Sequence, residues 1–180
     1  MKHDYDAQHL NIDAFAHAQG RIDDSRNLTD FGRLMDEAQG VVSQKSVHFT
    51  AHGVLRPVGG PGEQIWIVLT GEVALPQICQ RCLGSVDVAV LFHREFRFVA
   101  TEQLAEAEDE ASDEDVLVLS RDFNLLELIE DELLMALPVV PKHAVCPDPV
   151  KLHVADPDFV AEDSEKPNPF AVLEQLKNKR

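Results

Sequence analysis

Cys79 and Cys82, two of the three cysteines in this chain of 180 residues, flank Gln80-Arg81. Two intervening residues let both sulfurs reach one metal ion, and the same spacing suits a reversible redox pair. A thioredoxin-like motif sets its first cysteine at the N-terminus of a helix, whose dipole lowers the thiol pKa. Here Leu83-Gly84-Ser85 follows instead, and a strand pattern begins at Val86. That context predicts a knuckle between strands, with thiols of ordinary reactivity and no catalytic role. The other half of a metal site is offered by His143 with Cys146, again two residues apart, so Cys79, Cys82, His143 and Cys146 are the candidate ligands of a zinc ion. The competing reading is of buried, reduced thiols acting as small apolar side chains. An odd number of cysteines gives no disulfide framework.

Other residues with chemical potential fare less well. His48 and His52 stand four apart on a strand pattern, which separates them by roughly 13 Å, too far for one ion. Glu127, Glu130, Asp131 and Glu132 could be imagined as acid and base. No nucleophile, pocket loop or metal cluster stands with them, and an enzyme is not expected.

The elements that must position the cysteines are legible from periodicity. Val47, Phe49, Ala51, Gly53 and Leu55 share one face of a strand, and the Pro/Gly-rich run from Arg56 to Gly62 turns the chain. Ile65 to Leu75 reads as a central strand, apolar on much of both faces. After the cysteine turn, Val86 to Phe98 alternates strictly, broken on its apolar face only by Arg94. Leu126, Ile129, Leu133 and Leu137 then form the stripe of the strongest helix, from Leu125 to about Leu137, with Asp122 or Asn124 as its N-cap and the carboxylates outside. A shorter helix follows Asn27 through Leu28, Phe31, Leu34 and Met35 to Gly40. The fold class is α+β: an antiparallel meander with one long amphipathic helix packed on it and short N-terminal and C-terminal helices.

Three parts follow along the chain. Residues 1–26 show no sustained period and are expected to be a loosely docked arm. Residues 27–141 form one α+β domain that carries the knuckle and an acidic segment, 102–115, whose self-repulsion predicts a mobile loop. Residues 142–180 are an extended tail, an acidic linker and a short helix beginning at Asn168-Pro169. Phe170, Leu173 and Leu176 give that helix an apolar face suited to a partner's groove or to this chain's own sheet.

Composition narrows the partners. A formal charge of −16 opposes the phosphate backbone that dominates nucleic-acid affinity, so contact with RNA is expected to be weak or indirect. A charge run like the acidic segment is usually just a solvated surface, and the sharper alternative is a patch that steers a basic protein. No apolar run long enough to span a bilayer and no signal peptide are seen, which predicts a cytoplasmic protein.

Three stretches, in this order, resemble the YceD family: Ile78-Cys79-Gln80-Arg81-Cys82-Leu83, the run from Leu128 to Pro141, and Lys166-Pro167-Asn168-Pro169-Phe170-Ala171-Val172-Leu173. The resemblance implies a cytoplasmic bacterial protein with a part in the synthesis, processing or stability of large-subunit ribosomal RNA, and it brings no catalytic residues. It implies ribosome-assembly or rRNA-processing proteins as partners, and no small-molecule substrate. Many relatives pair the CxxC with a second, cysteine-rich cluster, from which this chain departs by offering His143 and Cys146. The alternatives are a thiol redox enzyme using Cys79 and Cys82, and a zinc-stabilised interaction module without a ribosomal role.

Overall fold

In the computed structural model, residues 5–58, 60, 62–109, 112, 114–147 and 154 are described. One five-stranded sheet organises them, with strands adjacent in chain order: β1 (Arg21–Asn27), β2 (Ser46–Pro57), β3 (Glu63–Ile78), β4 (Ser85–Val99) and β5 (Asp115–Val118). The first four pair antiparallel, as a meander should. In the β2/β3 ladder Ala51 pairs with Leu69 and Gly53 with Ile67, which keeps the apolar alternation of both strands on one face.

Among the described residues four α-helices accompany the sheet: α1 (Ile12–His17), α2 (Gly32–Glu37), α3 (Glu102–Asp109) and α4 (Leu125–Met135). In α4, the Asn124 side chain accepts the Leu126 N–H at 3.2 Å, and Leu125, Leu126, Ile129 and Leu133 are buried with the sheet's apolar face in one core. At 11 residues it is a helix of about three turns rather than a long one.

Several expectations need correction. The N-terminal segment is not a loose arm, because Ala7, Leu10, Ile12, Phe15 and Ala16 are buried in the core. Leu10 and Phe123 exchange backbone hydrogen bonds at 2.9 Å each, and Ala7 O accepts the Leu125 N–H at 2.8 Å. Gly53 lets α1 approach: a Cβ there would meet the Ala16 Cα and the Phe15 carbonyl at 2.8 Å. A six-residue helix is too short to display a period. β1 escaped for a related reason, since it is a polar edge strand that buries only Ile22.

The acidic segment is not a loop over its first half. α3 occupies it and carries the chain from β4 to β5, which pairs with β4 in parallel and so needs a crossover. Arg97 of β4 is buried despite its charge and binds Glu108 and, through Nε at 3.0 Å, Glu114. Two carboxylates thus meet a cation, and repulsion along the segment falls.

Nor do all the carboxylates of α4 stay outside, for Glu130 and Glu132 are buried. Glu130 accepts the Leu34 N–H at 3.0 Å and the Arg33 Nε–H at 3.0 Å, so it caps the first turn of α2 from a neighbouring helix. Asn27, expected to cap a helix from Leu28, instead precedes a 3-10 turn at Leu28–Asp30 and makes no side-chain cap. Glu132 meets Nε of Arg94 at 3.1 Å, the one charge interrupting β4's apolar face.

These elements lie in the first of two units, Met1–Asp148; of the second, Pro149–Arg180, only Val154 is described. The helix expected from Asn168, with Phe170, Leu173 and Leu176, lies outside the described residues. No helix among the described residues is long and apolar enough to cross a membrane.

Candidate metal centre

The turn joining β3 to β4 is tight and built on sulfur. The Cys79 N–H donates to the Gly84 carbonyl at 2.8 Å, and the Leu83 N–H returns to the Cys79 carbonyl at 2.8 Å. To close it, Leu83 takes a φ of +59°, a left-handed conformation that a non-glycine residue rarely adopts. No α-helix follows Cys82 before β4 begins at Ser85, as the sequence predicts.

The segment after α4 folds back onto this turn, and the Gln80 N–H donates to the Pro141 carbonyl at 2.9 Å. His143 and Cys146 thereby arrive beside Cys79 and Cys82. One ligand atom from each of the four lies within 4.8 Å of every other. Cys79 Sγ is 3.9 Å from Cys146 Sγ, and Cys82 Sγ is 3.4 Å from Nδ1 of His143. His143 Nε2 is 3.0 Å from the Ser85 carbonyl. A carbonyl can only accept, so this contact sets the proton on Nε2 and leaves the Nδ1 lone pair facing the thiols.

Electrostatics within the cluster follow from these contacts. Burial pushes the Cys79 thiol up, but the backbone N–H groups of His143, Cys82 and Arg81 and the Cys82 thiol outweigh it and hold Cys79 at about 5. Acidity was not expected of Cys79, and it comes from converging backbone donors rather than from a helix dipole. At Cys82 the Gly84 N–H draws the thiol down, while burial and hydrogen bonds to Cys146 and Cys79 push it up, with a net rise. Thiols crowded this closely cannot all ionise without a cation between or beside them.

One cation is already there. Arg81 donates from Nε to Cys146 Sγ at 3.0 Å and from Nη2 to the His143 carbonyl at 3.0 Å. The Cys146 contact raises the Arg81 pKa further, first through the hydrogen bond and then through charge. Sequence reasoning had Arg81 only as a residue between two cysteines; its reach across 65 positions to Cys146 has no periodic signature.

Three thiols and an imidazole with one free lone pair match the donor set of a closed structural zinc site. The fit rests on ligand identity, mutual reach and the His143 tautomer. By contrast, His48 and His52 join no such cluster: His48 lies against Asp23 at 3.8 Å, while burial, ahead of the charge of Arg21, lowers the pKa of His52.

A family model described as Large ribosomal RNA subunit accumulation protein YceD matches residues 68–177, more than half of the chain and a span that contains all four cluster residues. No solved structure matches.

Proposed function

The chain belongs to the YceD family of large ribosomal RNA subunit accumulation proteins, and from that premise we propose that it is a cytoplasmic, non-enzymatic factor in the synthesis, processing or stability of large-subunit ribosomal RNA. The observation that carries this reading is the family match. The metal centre supports a binding role over a catalytic one: Cys79 is wholly buried, and a closed four-ligand set leaves no open position for a reacting group. Zinc held by Cys79, Cys82, His143 and Cys146 would supply a cross-link between the β3/β4 turn and the segment after α4.

The partners we propose are ribosome-assembly or rRNA-processing proteins with basic surfaces. A charge of −16 supports protein-mediated rather than direct RNA contact. Glu102 and Glu106 on α3 remain exposed for steering, and Leu83, Val139 and Val145 near the metal cluster leave apolar surface open at 75%, 98% and 85% exposure. The C-terminal segment bearing Phe170, Leu173 and Leu176 would add a helix for a partner's groove.

Affinity isolation of the tagged protein from its own cells, with proteomics and RNA sequencing of what accompanies it, tests the proposal. Large-subunit assembly or processing proteins should be enriched, and the RNA signal should disappear when those proteins are stripped at high salt. Recovery of no ribosomal component, in cells whose large-subunit rRNA is unchanged when the protein is removed, would overturn it.

A further inference from the structure

The geometry points to Arg81 as a positioning residue that shapes and shields the four-ligand cluster, an inference that rests on the zinc reading above. Its side chain is on the exposed surface, yet it turns across the knuckle and engages the opposing segment at two of its residues that matter most. Nε–H donates to the sulfur of Cys146, and Nη2–H donates to the carbonyl of His143, with the Ala144 carbonyl at 3.5 Å. One planar guanidinium therefore fixes the backbone of one ligand and the sulfur of another at the same time, which the point charge of a lysine cannot reproduce.

Charge gives the arrangement a second role. Three thiolates and a neutral imidazole around a divalent ion leave a net negative charge, and in a protein already strongly acidic a nearby guanidinium offsets it. A hydrogen bond into a thiolate also withdraws electron density from the sulfur, making it a poorer nucleophile toward electrophiles while it stays a ligand. Of the three sulfurs, Cys146 needs this most. Cys79 is fully buried and receives the His143 N–H at 3.5 Å, and Cys82, half-buried like Cys146, is held by the Gly84 N–H within its own turn, whereas Cys146 lies on a segment outside the sheet.

The test compares wild-type protein with Arg81→Gln and Arg81→Lys, each loaded with zinc and checked by far-UV circular dichroism. Zinc affinity is measured by competition with a chromophoric chelator. The alkylation rate of each cysteine by iodoacetamide is followed by mass spectrometry. Arg81→Gln should bind zinc about 10- to 100-fold more weakly, and its Cys146 should be alkylated several-fold faster relative to Cys82. Arg81→Lys, which keeps the charge without the fork, should fall between. A purely structural loosening would speed Cys146 and Cys82 alike, and that outcome overturns the inference. So does an Arg81→Gln protein with wild-type zinc affinity and an unchanged ratio, which leaves the zinc reading standing. A wild-type protein without stoichiometric zinc defeats both.

Discussion

Where α1 and α4 lie against the sheet, the contact is made by Phe15, Ile129 and Leu133 with Phe49, Ile67 and Leu69, all fully buried and apolar. Where β3 turns into β4 the chain has almost nothing of that kind: Leu83 and Val139 face solvent, and Cys79 is the one wholly buried residue of the four in the cluster. The first region is held by removal of apolar surface from water, which needs no particular atom to meet another. The second is held by a few directional contacts among sulfur, imidazole, guanidinium and backbone. Non-directional burial tolerates conservative change and supplies global stability. Directional contacts at an exposed turn supply geometry, and they respond to metal and to single-atom changes.

The largest effects should come from the apolar region. Leu133→Asp places an unpaired charge among fully buried side chains and should cost more than about 4 kcal/mol, enough to unfold a domain of ordinary stability. Urea denaturation of that variant with a wild-type midpoint would break the comparison at its root.

Phe15→Ala comes next, at about 3 to 5 kcal/mol for a fully buried aromatic. Part of that cost is the edge-to-face contact of Phe15 with Tyr5, whose rings are 4.8 Å apart. A loss below about 1 kcal/mol, as for a surface substitution, would return residues 5–20 to the status of a loose arm.

How far each region can be read from sequence follows from the same contrast. Burial repeats along an element, so β2, β3, β4 and α4 announce themselves by period, and the stripe of Leu126, Ile129 and Leu133 lies in the core. α1 and β1 do not, because six helical residues and a strand burying one side chain contain too little repetition. Charges inside the fold were harder still. Arg94, alone on an apolar face, signals a buried partner but not that Glu132 is the one. In the candidate metal cluster, residue type and the two-residue spacing single out four residues that the fold brings within 4.8 Å of one another, since ligand chemistry restricts the choice. Arg81's role depends on where the segment after α4 returns, which no local pattern encodes.

A third experiment sets the two regions against each other in one molecule. Amide exchange should be measured before and after extensive chelation, or in Cys79→Ser. Exchange should accelerate in the β3/β4 turn and around Pro141–Cys146, where the hydrogen bonds are few and local. Protection at Ile67–Gly71, paired on both sides by β2 and β4, should change little. Uniform loss across the sheet would mean that the cluster stabilises the whole fold rather than its own turn.

The smallest effect isolates a polar stitch that has no metal behind it. His9 Nδ1 lies 2.7 Å from an Asp122 carboxylate oxygen on the protein surface, tying the segment before α1 to the segment before α4. The hydrogen bond to Asp122, then its charge, raises the His9 pKa above 6.5 against the opposition of burial, with the smallest contribution from Asp6. A histidine whose folded pKa is raised stabilises the fold fully below its unfolded pKa and loses that contribution as pH rises through the folded value. His9→Ala should therefore lower Tm slightly at about pH 5 and leave it unchanged at about pH 9. Solvent screening keeps the difference small, and added salt should shrink it further. The direct check is an NMR titration of the His9 imidazole. A midpoint at or below 6.5 would show that this contact does not persist in solution, and the N-terminal segment would then be held by its buried apolar residues and its backbone hydrogen bonds to Phe123 and Leu125.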